Sequence, residues 1–190
     1  MASPSDYIHE IVPLTTAEKE AIENAFTELP LSKGEYWIQQ GKVCEHVAYV
    51  VEGTLRVFYR NDSGNEVTCF FVTADHFVSS FTSFLTHTPT AENISAIEKT
   101  TLKVISKDKL ESLSSTLPKM QIFRRVMAEN LFITMEKRIM MLQSQSAHER
   151  YEKMLKESPE LILSVPLQYT ASFLGMTPQH LSRLRKELRK

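Results

Sequence analysis

The chain is poor in cysteine and glycine. It holds two cysteines in 190 residues, Cys44 and Cys69, with no CxxC pairing. A cysteine-ligated zinc or iron–sulfur centre needs more thiols or clustered histidines, so no metal or other cofactor is expected. Both thiols read as small buried apolar residues. The six histidines (His9, His46, His76, His87, His148, His180) are scattered along the chain. No apolar run approaches the ~20 residues needed to span a bilayer. The start, MASPSDYIHE, lacks a basic segment followed by an apolar core, so no secretory signal is expected and the cytoplasm is the expected location. The net charge is −1, so the chain is not a polycation and any surface for nucleic acid must be local.

Such a local surface is present. From Pro166 to Lys190 there are five basic residues (Arg183, Arg185, Lys186, Arg189, Lys190) against one acid, Glu187. The rest of the chain is therefore net acidic. This asymmetry is that of a basic binding module on a more acidic body.

The order of elements is equally uneven. Leu14 to Leu29 reads as a helix capped by Thr15 or Thr16, with Ile22, Ala25, Phe26 and Leu29 on one face. After Pro30 the texture changes to short strands rich in Val, Tyr, Phe and Thr, of which His46–Val51, Thr54–Arg60 and Glu66–Val72 are the clearest. Leu55, Val57 and Tyr59 alternate with Thr54, Arg56, Phe58 and Arg60, the pattern of a half-buried strand. Asn61-Asp62-Ser63-Gly64 is a hairpin turn. Lys107 to Leu117 reads as a short helix. Leu117-Pro118 then opens a helix running to about Ser144, ~39 Å long at 1.5 Å per residue. Ile122 or Phe123, Val126, Ile133 and Met140 recur along it near heptad spacing, widened by Met127, Phe132, Ile139 and Met141. This is the pattern of a coiled-coil-like dimer helix, with Asn130 and Lys137 near the seam. Ala147 to Glu157 reads as a further helix, and Leu161–Val165 as a short β-prone connector.

The last 25 residues read as helix, tight turn, helix. Leu167, Ala171 and Leu174 form the inner face of the first. Gly175 permits the turn and Met176 is expected to point inward. Thr177 is a good N-cap, with Pro178 at the first helical position. Leu181, Leu184 and Leu188 form the buried stripe of the second helix, leaving Gln179, Ser182, Arg183 and Lys186 outward. A helix of this kind places its N-terminal residues in the major groove. Arg183 is suited to guanine O6/N7 and Gln179 to adenine N6/N7. Thr177, His180 and the basic tail are suited to phosphates.

These residues give the chain a resemblance to the Crp/Fnr family of regulators. Gly41 and Tyr49-Val-Val-Glu-Gly53-Thr-Leu-Arg-Val57 look like the family's β-roll motif. Phe77-Val-Ser-Ser-Phe-Thr-Ser-Phe84 occupies the place of its phosphate-binding cassette. Pro178, Gln179 and Arg183 match its three principal base-reading positions. The resemblance implies an α+β fold in three parts. Residues 1–117 would be an antiparallel β-roll (double-stranded β-helix) sensor with flanking helices, 118–145 a long dimerisation helix, and 146–190 a helix-turn-helix DNA-binding domain. It implies a homodimer on an inverted repeat of double-stranded DNA, a small-molecule effector of unknown identity, and RNA polymerase as a further partner. By position the effector pocket would comprise Ser79, Ser80, Phe81, Thr90, Ala91 and Thr134.

The chain departs from the family in two ways. Nucleotide-binding members carry Gly-Glu in the cassette and, further on, Arg followed by a small residue. Here the matching positions are Ser79-Ser80 and Thr90-Ala91, so the bidentate cation for a cyclic phosphate is missing and cyclic AMP is not an expected ligand. The sequence also stops just after the recognition helix and reads as a form without a wing. Two other readings are weaker. A cupin-like metalloenzyme would need an HxH pair, which does not occur, so no enzymatic activity and no catalytic residue are expected. A ligand-binding or interaction module that has lost DNA binding finds support only in Pro178, which stands where a polar base reader is usual.

Overall fold

Hydroxyl side chains start most of the helices. In a computed structural model that describes residues 3–187, α1 (Pro4–Ile11) begins at Ser3, whose Oγ accepts the Asp6 amide at 3.2 Å. Next, α2 (Thr16–Ala25) opens with a reciprocal capping box between Thr15 and Glu18. Each such cap satisfies amides that the first turn leaves without partners. The helix predicted over 14–29 ends at Ala25 instead. Pro30 disfavours helical backbone at Leu29, and the segment pairs elsewhere: β1 (Thr27–Leu31) runs antiparallel to β8 (Thr100–Ser106), with Thr27 opposite Val104.

Between these two strands lie β2 (Tyr36–Ile38), β3 (His46–Glu52), β4 (Thr54–Arg60), β5 (Glu66–Thr73), β6 (His76–Val78), the short α3 (Phe81–Thr86) and β7 (Glu92–Ala96). They form two four-stranded sheets, β1-β8-β3-β6 and β2-β7-β4-β5. This is the expected roll. The expected half-burial of β4 fails. Thr54 to Phe58 are all buried, and exposure begins only at Tyr59. Both faces of the strand are covered, so alternation of residue type does not translate into alternation of exposure.

Two features lock the roll. Gly53, between β3 and β4, has φ +87°, and a Cβ there would stand 2.6 Å from the Lys99 carbonyl oxygen and 2.8 Å from the Thr100 Cα. Tyr49 is fully buried, and its hydroxyl donates to Asp75 Oδ1 at 2.7 Å. Burial first, and then this carboxylate, push the phenol's pKa upward.

After β8 come α4 (Lys107–Thr116) and the long α5 (Lys119–Ser144). The start of α5 is tied down by Phe123, whose ring lies 5.4 Å from Phe77, which in turn lies 5.1 Å from Tyr49. Arg124 pairs with both carboxylate oxygens of Glu111 on α4, at 3.1 and 2.9 Å, and that guanidinium holds the carboxyl below its usual pKa. The chain continues through α6 (Ala147–Glu157), α7 (Pro159–Ser164), α8 (Leu167–Phe173) and α9 (Pro178–Glu187). The β-prone connector predicted over 161–165 is largely helix α7. Pro159 at its first position and Glu160 in its first turn are helix-start signals, and they outweigh a short apolar run.

By contacts the chain divides into two compact units. One holds the described residues up to Tyr59 together with Phe70–Ala128. The other holds Arg60–Cys69 and the described residues from Glu129 onward. The chain therefore passes between them within β4, β5 and α5. The first unit has its core in the roll, around Ile8, Ile22, Tyr49, Leu55, Phe58, Ile94, Leu102, Ile105 and Met120. The core of the second comprises Tyr151, Met154, Ile162, Val165, Ala171, Leu174, Leu181 and Leu184.

Candidate nucleic-acid interface and effector region

Local chemistry builds the C-terminal helical hairpin. Gly175 takes φ +66°, a left-handed conformation that side chains disfavour. The Met176 amide returns to the Ala171 carbonyl at 3.0 Å. Thr177 Oγ1 then accepts the His180 amide at 3.2 Å, and Pro178 is the first residue of α9. Ala171, Leu174, Leu181 and Leu184 are buried between α8 and α9. Thr177, Pro178, Gln179, Arg183 and Lys186 are exposed, while His180 and Ser182 are half-buried. The seven residues nominated for DNA thus lie on the described part of one helix and its cap.

Three expectations change here. Met176 and Leu167 are only half-buried. Arg185 belongs to the interior side of α9. Its Nη2 donates to the Ile162 carbonyl at 3.3 Å, and its guanidinium lies 6.0 Å from the Tyr151 ring. It is therefore a structural cation, and the basic face is narrower than the charge count implied. Leu188, Arg189 and Lys190 lie outside the described residues.

The last turn of α8 is held at three successive residues. Ser172 Oγ donates to the Glu66 carbonyl at 3.1 Å and accepts the Thr68 amide at 2.9 Å. Arg138 Nη2 donates to the Phe173 carbonyl, and the guanidinium lies 4.0 Å over the Phe173 ring. Arg150 Nε donates to the Leu174 carbonyl at 2.8 Å and its Nη1 to the Gln145 carbonyl at 2.5 Å. Carbonyls at a helix C-terminus have no partner within the helix, and cations there also meet the negative end of its dipole. None of these three residues was singled out from sequence. For Arg150 a signal existed: it stands beside Tyr151 and four residues before Met154, a cation on the apolar face of α6.

The nominated effector positions divide. Ser80 and Thr90 are buried and hydrogen-bonded to each other at 2.7 Å. Ser80 Oγ also donates to Glu92 Oε2 at 2.8 Å, and the Glu92 amide donates to Thr90 Oγ1 at 2.9 Å. Ser79 is buried as well, with Oγ donating to the His46 carbonyl at 2.8 Å. Phe81 is half-buried and Ala91 is exposed. Thr134 lies in the second unit, exposed, and its Oγ1 donates to the Asn130 carbonyl of its own helix at 2.8 Å. Glu92 was not anticipated. It puts a carboxylate on the Ser80 hydroxyl of the cassette and its backbone amide on the Thr90 hydroxyl.

On α5 the exposed apolar side chains within the second unit are Phe132 (70% exposed), Met135, Ile139 (55%) and Leu142, spaced 3, 4 and 3 apart, with Ile133 and Met140 alongside. Of the seam alternatives Ile122 or Phe123, Ile122 is exposed and Phe123 is buried, and Val126 is half-buried. Among the described residues no group of three or more His, Cys, Asp or Glu comes together to hold a metal ion. No described helix is long and apolar enough to cross a membrane.

Comparison with known proteins bears on the fold. Residues 28–116 match the family model described as the cyclic nucleotide-binding domain. The fold as a whole is of the Crp/Fnr type. The chain is similar to FixK2 of Bradyrhizobium japonicum (19% identity, 86% of this chain and 84% of that one, TM-score 0.76). It is also similar to CLP of Xanthomonas campestris, described as a c-di-GMP-responsive global regulator (16%, 92% and 92%, TM-score 0.74). A third likeness is to a Crp/Fnr-family regulator of Eubacterium rectale (16%, 93% and 84%, TM-score 0.69). A search of curated protein sequences returns no match.

Proposed function

We propose that this chain is a sequence-specific DNA-binding transcription regulator, acting as a homodimer on an inverted repeat, with a roll that does not bind cyclic AMP, and that it is a binding protein rather than an enzyme. The observation that carries the reading is the C-terminal hairpin: a left-handed glycine turn, a threonine cap, a leucine stripe buried on one side of α9, and Gln179 and Arg183 exposed on the other. In this reading Gln179 and Arg183 meet base edges, while Thr177, His180, Ser182 and Lys186 meet backbone. The apolar stripe of α5 is the dimer seam, which sets two recognition helices on two half-sites.

The test is Arg183→Ala on an operator obtained by selection from genomic fragments. Affinity at the preferred site should fall by about 1–3 kcal/mol, with discrimination relaxed at one base pair per half-site. An equal loss on all sequences would make Arg183 a phosphate contact and remove the base-reading assignment.

The roll supports a second prediction. A cyclic phosphate seated against Ser80 and Thr90 would meet the Glu92 carboxylate already bonded to the Ser80 hydroxyl, with no arginine at position 90 or 91 to offset it. Calorimetric titration with cyclic AMP should show no binding at micromolar ligand. Micromolar or tighter affinity would overturn this part of the reading.

A further inference from the structure

We infer that Ser172 is a positioning residue for DNA reading, through which the tip of the β4–β5 hairpin fixes the turn that aims α9. The inference rests on the DNA-binding reading above and adds to it a residue that does not itself touch DNA. The Ser172 hydroxyl takes the Thr68 amide at 2.9 Å and gives to the Glu66 carbonyl at 3.1 Å. In a parallel β-ladder one residue bonds the carbonyl before and the amide after its neighbour on the next strand. Ser172 Oγ stands in for such a residue opposite Val67, so a helix side chain extends the sheet edge by one position. A lone surface hydroxyl would be idle there. This one is engaged on both its donor and its acceptor side.

The consequence follows from what comes next in the chain. Phe173 and Leu174 are held by Arg138 and Arg150. Gly175 then turns left-handed, and Thr177 caps α9. Four residues separate the hydroxyl from the first recognition residue, with no flexible linker between. On the other side, the hairpin strands run on into β4 and β5 of the roll by covalent continuity. A change in those strands reaches the recognition turn through Ser172.

The experiment compares wild type, Ser172→Ala and Ser172→Thr as full chains, using a duplex carrying the operator selected by the wild type and a duplex of unrelated sequence. Amide hydrogen exchange is followed in the DNA-free proteins. For Ser172→Ala, affinity for the operator should fall about tenfold, while the unrelated duplex and the melting temperature stay near wild type. The Thr68 amide should lose protection, and amides across 175–181 should exchange faster. Ser172→Thr, which keeps the hydroxyl, should restore both readouts. If affinity for both duplexes falls along with the melting temperature, Ser172 is merely structural and the inference fails. If Thr68 loses protection while operator affinity and exchange across 175–181 are unmoved, the contact transmits nothing and the inference also fails. If the wild type selects no DNA, the proposed function falls, and the exchange data alone decide the coupling: faster exchange across 175–181 upholds it, and unchanged exchange overturns it.

Discussion

Gly53→Ala is expected to lower the unfolding free energy by about 2–5 kcal/mol, with a melting temperature lower by about 4–20 °C. Two costs add. An L side chain at φ +87° is in the left-handed region, which costs about 1–2 kcal/mol. The new methyl would also sit 2.6 Å from a backbone carbonyl oxygen and 2.8 Å from a backbone Cα, both in the Lys99–Thr100 segment that leads into β8. Neither is the loose end of a flexible side chain. Relief requires moving β8, which pairs with both β1 and β3 and carries the fully buried Leu102. Against a total of about 5–15 kcal/mol for a domain, that is a large fraction. Gly64→Ala is the matching control. Gly64 has φ +79° and nothing within 4 Å of the added carbon, so only the backbone cost of about 1–2 kcal/mol applies. Urea titration followed by circular dichroism separates the two. Equal losses at both sites would show that the close approach to Lys99 has no energetic weight.

The double change Phe132→Glu with Ile139→Glu should give a folded monomer. Both side chains are more than half exposed in the isolated chain, so little of the chain's own packing is lost. In the proposed dimer they lie one heptad apart on the seam, where paired carboxylates would be desolvated and would repel. Sedimentation equilibrium should report the mass of one chain, with an unchanged far-ultraviolet spectrum. Operator affinity should fall by about 10²-fold or more, because a monomer loses the gain of engaging two half-sites at once. Retention of the dimer would place the interface elsewhere. A chain unfolded by the double change would show that these residues pack within their own unit.

The parts of the fold that could be read from sequence are those where one local signal acts unopposed. Asn61 to Gly64 mark the hairpin, Pro118 the start of α5, and Gly175-Met176-Thr177-Pro178 the turn between α8 and α9. The parts that could not are those where distant partners decide. Thr27 to Leu29 carry helix-compatible residues, but they pair with β8, more than seventy residues further on. Arg56 looks like the polar half of an alternating strand, yet it is 2% exposed and lies 4.1 Å from the Phe58 ring. Helix α1 opens with Ser3-Pro4, a fair start signal, but is only two turns long. At the candidate site, the outward residues of α9 follow from helical spacing alone. Ser172, Arg138 and Arg150 do not, because their partners are main-chain groups of other elements, and a main-chain carbonyl has no letter in a sequence.

That choice of partner has a practical meaning for solution work. Arg138, Arg150 and Arg185 are all anchored to neutral carbonyls, so dissolved ions have no carboxylate partner to compete with in these bonds. Raising ionic strength should leave the internal scaffold of the module largely intact while making counterion release, and with it the proposed binding to a duplex, less favourable. The slope of log affinity against log salt can then be read as a count of phosphates neutralised by the exposed cations, with little admixture from melting of the module itself.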